Sequence, residues 1–312
     1  MELLNRYGTL GALVLIVLVF ALLSPGAFAT PANLINVTQQ MALLSIVAMG
    51  ATLVMVLGEF DLSVGAVASW AGGACFALFA AGWGAALVVP LVLASSFAVG
   101  AVSGLLVALF RVPSFIATLA IGTVLGGVTF WASGGATLFS GAAPDFRALG
   151  RGTAGGLPVL TWWMVGLAVV TALLLDRTEI GRRLYAIGGN RRAALLAGVP
   201  VRRDTVVAFG LCTALAGLAG VLLAARLGSA HPTGGTGFLL QAYAAVFLGM
   251  TAFRDGDANV PGTVLGAAII AVVANGLTIN GVPAHMQDIL TGLIIIAAVL
   301  IRRGFGGGGA DA

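Results

Sequence analysis

Long apolar runs broken by short polar connections dominate this chain. A hydrocarbon core about 30 Å thick takes about 20 apolar residues in a helix. A window of that width finds ten candidate helices, near 8–24, 40–58, 62–82, 85–110, 114–133, 158–175, 205–226, 238–253, 260–280 and 285–301. Short linkers leave nine or eleven spans compatible with the same pattern, above all between Phe238 and Asn280. Only two polar stretches are long enough to matter: a Gly-rich one over 133–157 and an Arg-rich one over 176–204. Residues 304–312 read as a flexible stub. The pattern therefore predicts one all-α integral membrane domain over 1–312, with no room for a separate soluble domain.

Composition agrees with the pattern. Sixty per cent of the 312 residues are apolar and 8% are charged, with a mean hydropathy of +1.09; a soluble domain carries about a quarter charged residues. The basic residues are fifteen Arg and no Lys, and their placement says more than the net charge of +4, which gives no reason to expect a nucleic-acid partner. With ten spans and both termini in the cytoplasm, all of them except Arg147, Arg151 and Arg226 fall inside, as positive charge does in membrane proteins. Arg6, the run Leu10 to Leu23 and Ala27-Phe28-Ala29 imitate a cleavable leader. A retained first span closed by Ser24-Pro25-Gly26 explains the same residues and keeps the charge parity. Glycines within the spans, among them Gly65, Gly72, Gly73, Gly122, Gly126, Gly127, Gly217 and Gly220, predict close helix packing. Cys75 and Cys212 stand alone in apolar runs and read as small buried hydrophobes, not as metal ligands.

The Arg-rich stretch is the most polar part of the chain. Gly188-Gly189-Asn190 reads as a turn, Asn190 as an N-cap, Arg191 to Ala197 as a short helix, and Gly198 with Pro200 as its stop. An Arg-rich loop that merely obeys the positive-inside rule would account for the charge. It would not need the apolar patch of Ala193, Leu195, Leu196 and Ala197, which suits a docking element for a cytoplasmic partner.

The order Gly181-Arg182, Tyr185-Ala186, Gly188, Asn190, Ala193-Ala194 and Gly198-Val199 resembles the coupling loop of ribose-type sugar permeases, the membrane subunits of binding-protein-dependent ABC importers. Asp61-Leu62-Ser63-Val64-Gly65 is similar to that family's acidic signature after the second span, and Pro113 to Leu119 to its fifth-span entry. Ala245-Val246, Leu248-Gly249, Gly262-Thr263, Gly266 and Asn275-Gly276-Leu277 resemble its late Gly-rich region. The likeness runs from about Leu34 to Arg303. It departs at Glu59 and Phe60, where small or aliphatic residues are usual, and over Thr251 to Asn259, which carries charges where the family is mostly Gly and Ser.

The resemblance implies a permease of about ten helices importing a ribose-like monosaccharide or related polyol across a bacterial inner membrane. Its implied partners are a cytoplasmic ABC ATPase that carries the ATP and Mg, an extracytoplasmic solute-binding protein, the lipid bilayer, and a second permease copy, identical or homologous. No G-x-x-x-x-G-K-[ST] phosphate loop occurs, so uphill transport needs that separate ATPase, and no cofactor is expected on this chain. The implied coupling residues are Gly181, Arg182, Tyr185, Asn190, Arg191, Ala193, Ala194, Leu195, Leu196 and Gly198. Arg147 and Arg151 are candidates for meeting the binding protein. Asp61, Ser63, Thr118, Gln241 and Asn275 are candidates for the translocation path; Asp61 could instead cap the third helix. Glu59 reads as a hydrated charge at a span end. By helix count, spans two to five and seven to ten run in opposite senses, which predicts an inverted repeat. A branched-chain amino-acid permease of similar architecture and an ion-coupled transporter are the alternatives. The latter would keep an ionisable relay at the midplane, whereas these acids lie at loops or span ends. His231 and His285 stand apart in short loops and suggest no catalytic centre.

Overall fold

In a computed structural model, which describes residues 2–139, 144–253 and 256–306, the apolar runs are helices. Helix α1 is Glu2–Leu23, α2 Pro31–Val56, α3 Val64–Ala80, α4 Ala85–Leu109 and α5 Ser114–Ser133. A short α6, Pro144–Gly150, and a two-residue hairpin of β1, Thr153–Ala154, and β2, Leu157–Pro158, precede α7, Val159–Arg177. Then come α8, Glu179–Gly189, α9, Arg191–Leu196, α10, Val201–Leu227, α11, Phe238–Gly249, α12, Val260–Ile279, and α13, Ala284–Gly306. Helices satisfy their own backbone where no water can. Helices α2, α4, α5, α7, α10 and α12 are each long and apolar enough to cross a membrane, and Gly8–Leu23, α3, α11 and Ala284–Ile296 are shorter apolar helices. Each expected segment thus coincides with one helix.

Four expectations need correction. The second helix starts at Pro31, not near 40, because Thr30 caps it: its Oγ1 accepts the Asn33 N–H at 3.3 Å, and Pro31 fits the first helical position. Gly188 and Gly189 close helix α8 instead of forming a turn, and helix continues through Gly306 into the expected stub. The polar stretch 133–157 contains α6, whose Phe146 is fully buried against Phe76 and Phe79, ring centroids 6.1 and 4.8 Å away. Arg254, the stub residues 307–312 and the side chains of Arg6, Arg302 and Arg303 lie outside the described residues.

The core is built around α2, of whose apolar window 83% is buried; α10 and α12 follow with 67% and 61%, whereas α4, α5 and α7 keep 22%, 17% and 22%. The exposed apolar faces of those outer helices suit lipid. Glycine lets the inner helices touch: Gly217 meets Ser96 of α4 and Gly220 meets the Ala68 backbone of α3. Gly126 and Gly127 face open space instead. Helix α1 belongs to the bundle, with Phe20 against Gly276 of α12 and Phe28 buried beside Val37 and Val272. The polar connections gather at two ends. One holds α8, α9, the end of α2, the start of α10 and the α11–α12 connection. The other holds α6, the ends of α3 and α10, and a bridge between Leu138 and Ala230.

Candidate functional site

The α8–α9 hairpin sits on the first of these ends. Thr178 caps α8 by accepting the Gly181 N–H at 3.2 Å, and Leu184 and Ile187 turn into the core with Ile180 beside them. Asn190, extended at φ −158°, ends α8 and caps α9 through Oδ1, which accepts the Ala193 N–H at 2.9 Å. Gly198 takes φ 81°, a left-handed conformation that closes α9 at little cost only for glycine. Helix α9 therefore presents two faces. Ala194 packs inward, while Leu195 and Leu196 are 62% and 84% exposed beside Ala193 and Ala197. Of the expected coupling residues, Arg182, Asn190, Arg191 and Gly198 are also exposed, whereas Gly181 and Ala194 are buried and Tyr185 is half-buried.

Four contacts fix this hairpin to the bundle. Arg183 Nε lies 2.9 Å from Oδ2 of the buried Asp204 at the start of α10, a charge contact without the alignment of a hydrogen bond, and 3.0 Å separates its NH1 from Glu179. The Tyr185 hydroxyl donates to the Ala258 carbonyl at 2.9 Å. Gly188 presses on the Val56 carbonyl so closely that a β-carbon would collide with it. Arg191 NH1 is 3.1 Å from Glu59 Oε1. Glu59 is thus not a free hydrated charge, because its partner reaches it from α9.

Beyond Glu59, the α2–α3 connection leaves helical geometry, and side chains hold its backbone amides. Phe60 N–H donates to Ser114 Oγ at 3.2 Å, Asp61 N–H to the Tyr243 hydroxyl at 2.6 Å, and Leu62 N–H to Thr118 Oγ1 at 2.9 Å. Ser63 donates its N–H and its hydroxyl to Asp61 Oδ1, at 2.8 and 2.5 Å. The Tyr243 hydroxyl also donates to the Asp61 carbonyl at 3.1 Å. Asp61, Ser63 and Thr118, expected along a path, thus come together in a sealed cluster with 0% exposure each. The Asp61 carboxylate turns back onto Ser63, the residue ahead of α3, and no side chain caps the helix itself. Phe60 packs its ring on Tyr243 and Phe247 of α11, centroids 5.6 and 6.4 Å away.

The remaining candidates lie elsewhere. Asn275 exchanges two 2.9 Å amide hydrogen bonds with Asn33 of α2. Gln241 lines a cleft of about 190 Å³ between α11, α12 and α13, with Gln287, Asp288 and Thr291 opposite. At the other end of the bundle, Arg151 donates to the carbonyls of Arg226 and Leu227 at 2.5 and 2.6 Å and so caps α10. Arg147 is exposed. Among the described residues no group of His, Cys, Asp or Glu could hold a metal ion. Sequence reasoning did not pair Asp61 with Tyr243, Phe60 with Ser114, Arg183 with Asp204 or Asn275 with Asn33, although it singled out the stretches Asp61 to Gly65 and Pro113 to Leu119.

Residues 33–299 match the family described as branched-chain amino acid transport system / permease component. The ribose import permease protein RbsC of Escherichia coli is 38% identical over 293 residues, 93% of this chain and 91% of that protein. RbsC of Bacillus subtilis is 36% identical over 300 residues, 96% of this chain and 93% of its own. The D-allose transport system permease protein AlsC of Escherichia coli is 33% identical over 302 residues, covering 96% and 92%. No solved structure matches the chain.

Proposed function

This chain belongs to the branched-chain amino acid transport system / permease component family, and we propose that it is the membrane-spanning permease subunit of an importer that takes up a monosaccharide. The observation that carries the sugar assignment is end-to-end similarity to permeases of ribose and allose, with nine-tenths or more of this chain aligned to each. The amino-acid alternative has only the family's description in its favour. The chain is a transport subunit and no enzyme. ATP and Mg belong to a separate cytoplasmic ATPase, which meets Leu195, Leu196 and the Arg182 to Gly198 surface, while an external solute-binding protein delivers the sugar near Arg147. Arg151 serves that end by closing α10. A second permease copy completes the complex in the bacterial inner membrane.

Ten helices cross in this reading, with both termini in the cytoplasm. The orientation rests on Arg, which clusters around the α8–α9 hairpin as cytoplasmic loops do, while exposed Trp83, Trp131 and Trp162 mark a membrane interface toward the opposite end. Gln241, with the polar side chains across its cleft, suits the outer part of a path for a polyhydroxylated solute, because neutral amides in a protein-lined cleft can replace water around hydroxyls. The bundle then alternates between outward-open and inward-open states as the ATPases close and part. The test is ATP-dependent uptake in proteoliposomes by the complex with its ATPase and binding protein, offered radiolabelled D-ribose, D-allose and L-leucine. Sugar uptake is expected. Uptake of leucine alone, or uphill sugar uptake by the purified chain without an ATPase, would overturn the reading.

A further inference from the structure

We propose that Glu59 is a positioning residue whose ion pair with Arg191 carries the movement of the α8–α9 hairpin into the α2–α3 connection, and through it into α5 and α11. The inference rests on the reading of the chain as a permease driven by a separate ATPase. Two charge contacts join the hairpin to the rest of the bundle among the described residues, and they differ in what they hold. Arg183 ties the root of the hairpin to Asp204, at the first turn of the long helix α10. Arg191, in the first turn of α9, reaches a connection that is not helical, next to Gly58 at φ 76°.

What lies beyond Glu59 makes this contact a lever. The next residues have no helical ladder to absorb a displacement. Their amides are held by Ser114 and Thr118 of α5 and by Tyr243 of α11, and hydrogen bonds weaken steeply when their angles change. The Phe60 ring is wedged against Tyr243 and Phe247 of α11. A pull on Glu59 therefore reaches two helices by directional bonds and one by packing, and Gly188 against the Val56 carbonyl gives the hairpin its bearing point at the same corner. With side chains 22% and 42% exposed, the pair contributes little to folding. Breaking it can disturb coupling without unfolding the protein. Neither Glu59 nor Arg191 serves as a cap: Asn190 caps α9, and Asp61 braces Ser63 ahead of α3.

The test is charge reversal and exchange in the complete complex: Glu59→Arg, Arg191→Glu and the double variant, each with Leu240→Cys as a reporter on an exposed part of α11. The first readout is the change in labelling of that cysteine when the ATPase is trapped with vanadate and ATP, which needs no solute. The second is D-ribose uptake per ATP hydrolysed. Each single variant should lose the nucleotide-dependent labelling change, and uptake per ATP should fall roughly tenfold, the scale of one coupling contact. The double exchange should restore both to within about twofold. A purely ATPase-facing role for Arg191 predicts no rescue, since Glu59→Arg cannot repair a surface it does not touch. Absence of rescue, or single variants that behave like the parent, would overturn the proposal. If the single variants do not assemble, a Glu59→Cys/Arg191→Cys pair bridged by a short bis-thiol reagent replaces the ion pair by a tether. Retained labelling change when bridged and its loss when the reagent is omitted support the lever, and the reverse overturns it. A parent complex whose reporter responds to nucleotide but which carries no sugar would count against the sugar assignment and leave the lever standing.

Discussion

Asp61 shows how this bundle tolerates a carboxylate out of reach of water. Its Oδ1 accepts two bonds from Ser63, its own N–H and carbonyl are both engaged by the Tyr243 hydroxyl, and Oδ2 makes no hydrogen bond. The acceptor at Oδ1 is therefore what the fold uses. Asp61→Asn keeps a carbonyl oxygen at that place and should leave unfolding in detergent nearly unchanged. Asp61→Leu strands the Ser63 N–H and hydroxyl, and Tyr243→Phe strands the Asp61 amide; each should cost about 1–3 kcal/mol, the usual penalty for a buried unsatisfied group. Thermal melts of the purified chain check this, and equal losses for Asn and Leu would mean that the charge, not the acceptor, matters. The sequence suggested Asp61 as a cap of the third helix or as part of a path, because an acid just ahead of a helix is a local signal; in the structure it holds Ser63, one residue short of the helix. The partners of the amides of Phe60, Asp61 and Leu62 were not visible. Ser114, Thr118 and Tyr243 stand 54 to 182 residues away in the chain, and Arg191 stands 132 from Glu59, so no local pattern displays them and Glu59 read as a hydrated charge.

At the scale of elements, the α8–α9 hairpin has two unlike faces. The inward face anchors it through Leu184, Ile187 and Ala194, and the outward face leaves Leu195 and Leu196 uncovered. Replacing both leucines with Asp should therefore leave the bundle folded, because no packed contact is lost, yet abolish co-purification of the ATPase and cut uptake per ATP severalfold. A double variant that still brings down the ATPase in normal amounts would move the docking surface elsewhere. The ten apolar helices were legible because about 20 consecutive apolar residues admit few other structures. Helix α8 was not, since Glu179, Arg182, Arg183 and two terminal glycines make it read as a loop. The signal was present all the same in Ile180, Leu184 and Ile187, spaced four and three apart as one helical face requires. Helix α6 hid in the same way within a Gly-rich stretch, although Pro144, Asp145 and Phe146 carry a helix start and one core anchor.

Over the whole molecule, one arrangement occurs twice. A long, deeply buried helix is followed by a break and a shorter apolar helix, first as α2 and α3, then as α10 and α11. Each break leans on the other unit's short helix: Tyr243 of α11 holds the Asp61 amide, and Ser69 of α3 accepts the Gly235 N–H at 2.9 Å, where Gly65 packs on the same backbone. Reciprocal support of this kind is what two units of opposite sense would produce, and on it we propose the inverted repeat expected from the sequence. In the proposed topology α7 alone separates Arg147 from Asn190, which puts the two on opposite sides of the membrane. Single cysteines at Asn190 and at Arg147 test this, because Cys75 and Cys212 are buried and give little background. An impermeant maleimide added to intact cells should label Arg147→Cys and leave Asn190→Cys untouched until the cells are opened. Labelling of both positions from outside would remove the cytoplasmic face from the hairpin, and with it any contact between α9 and an ATPase.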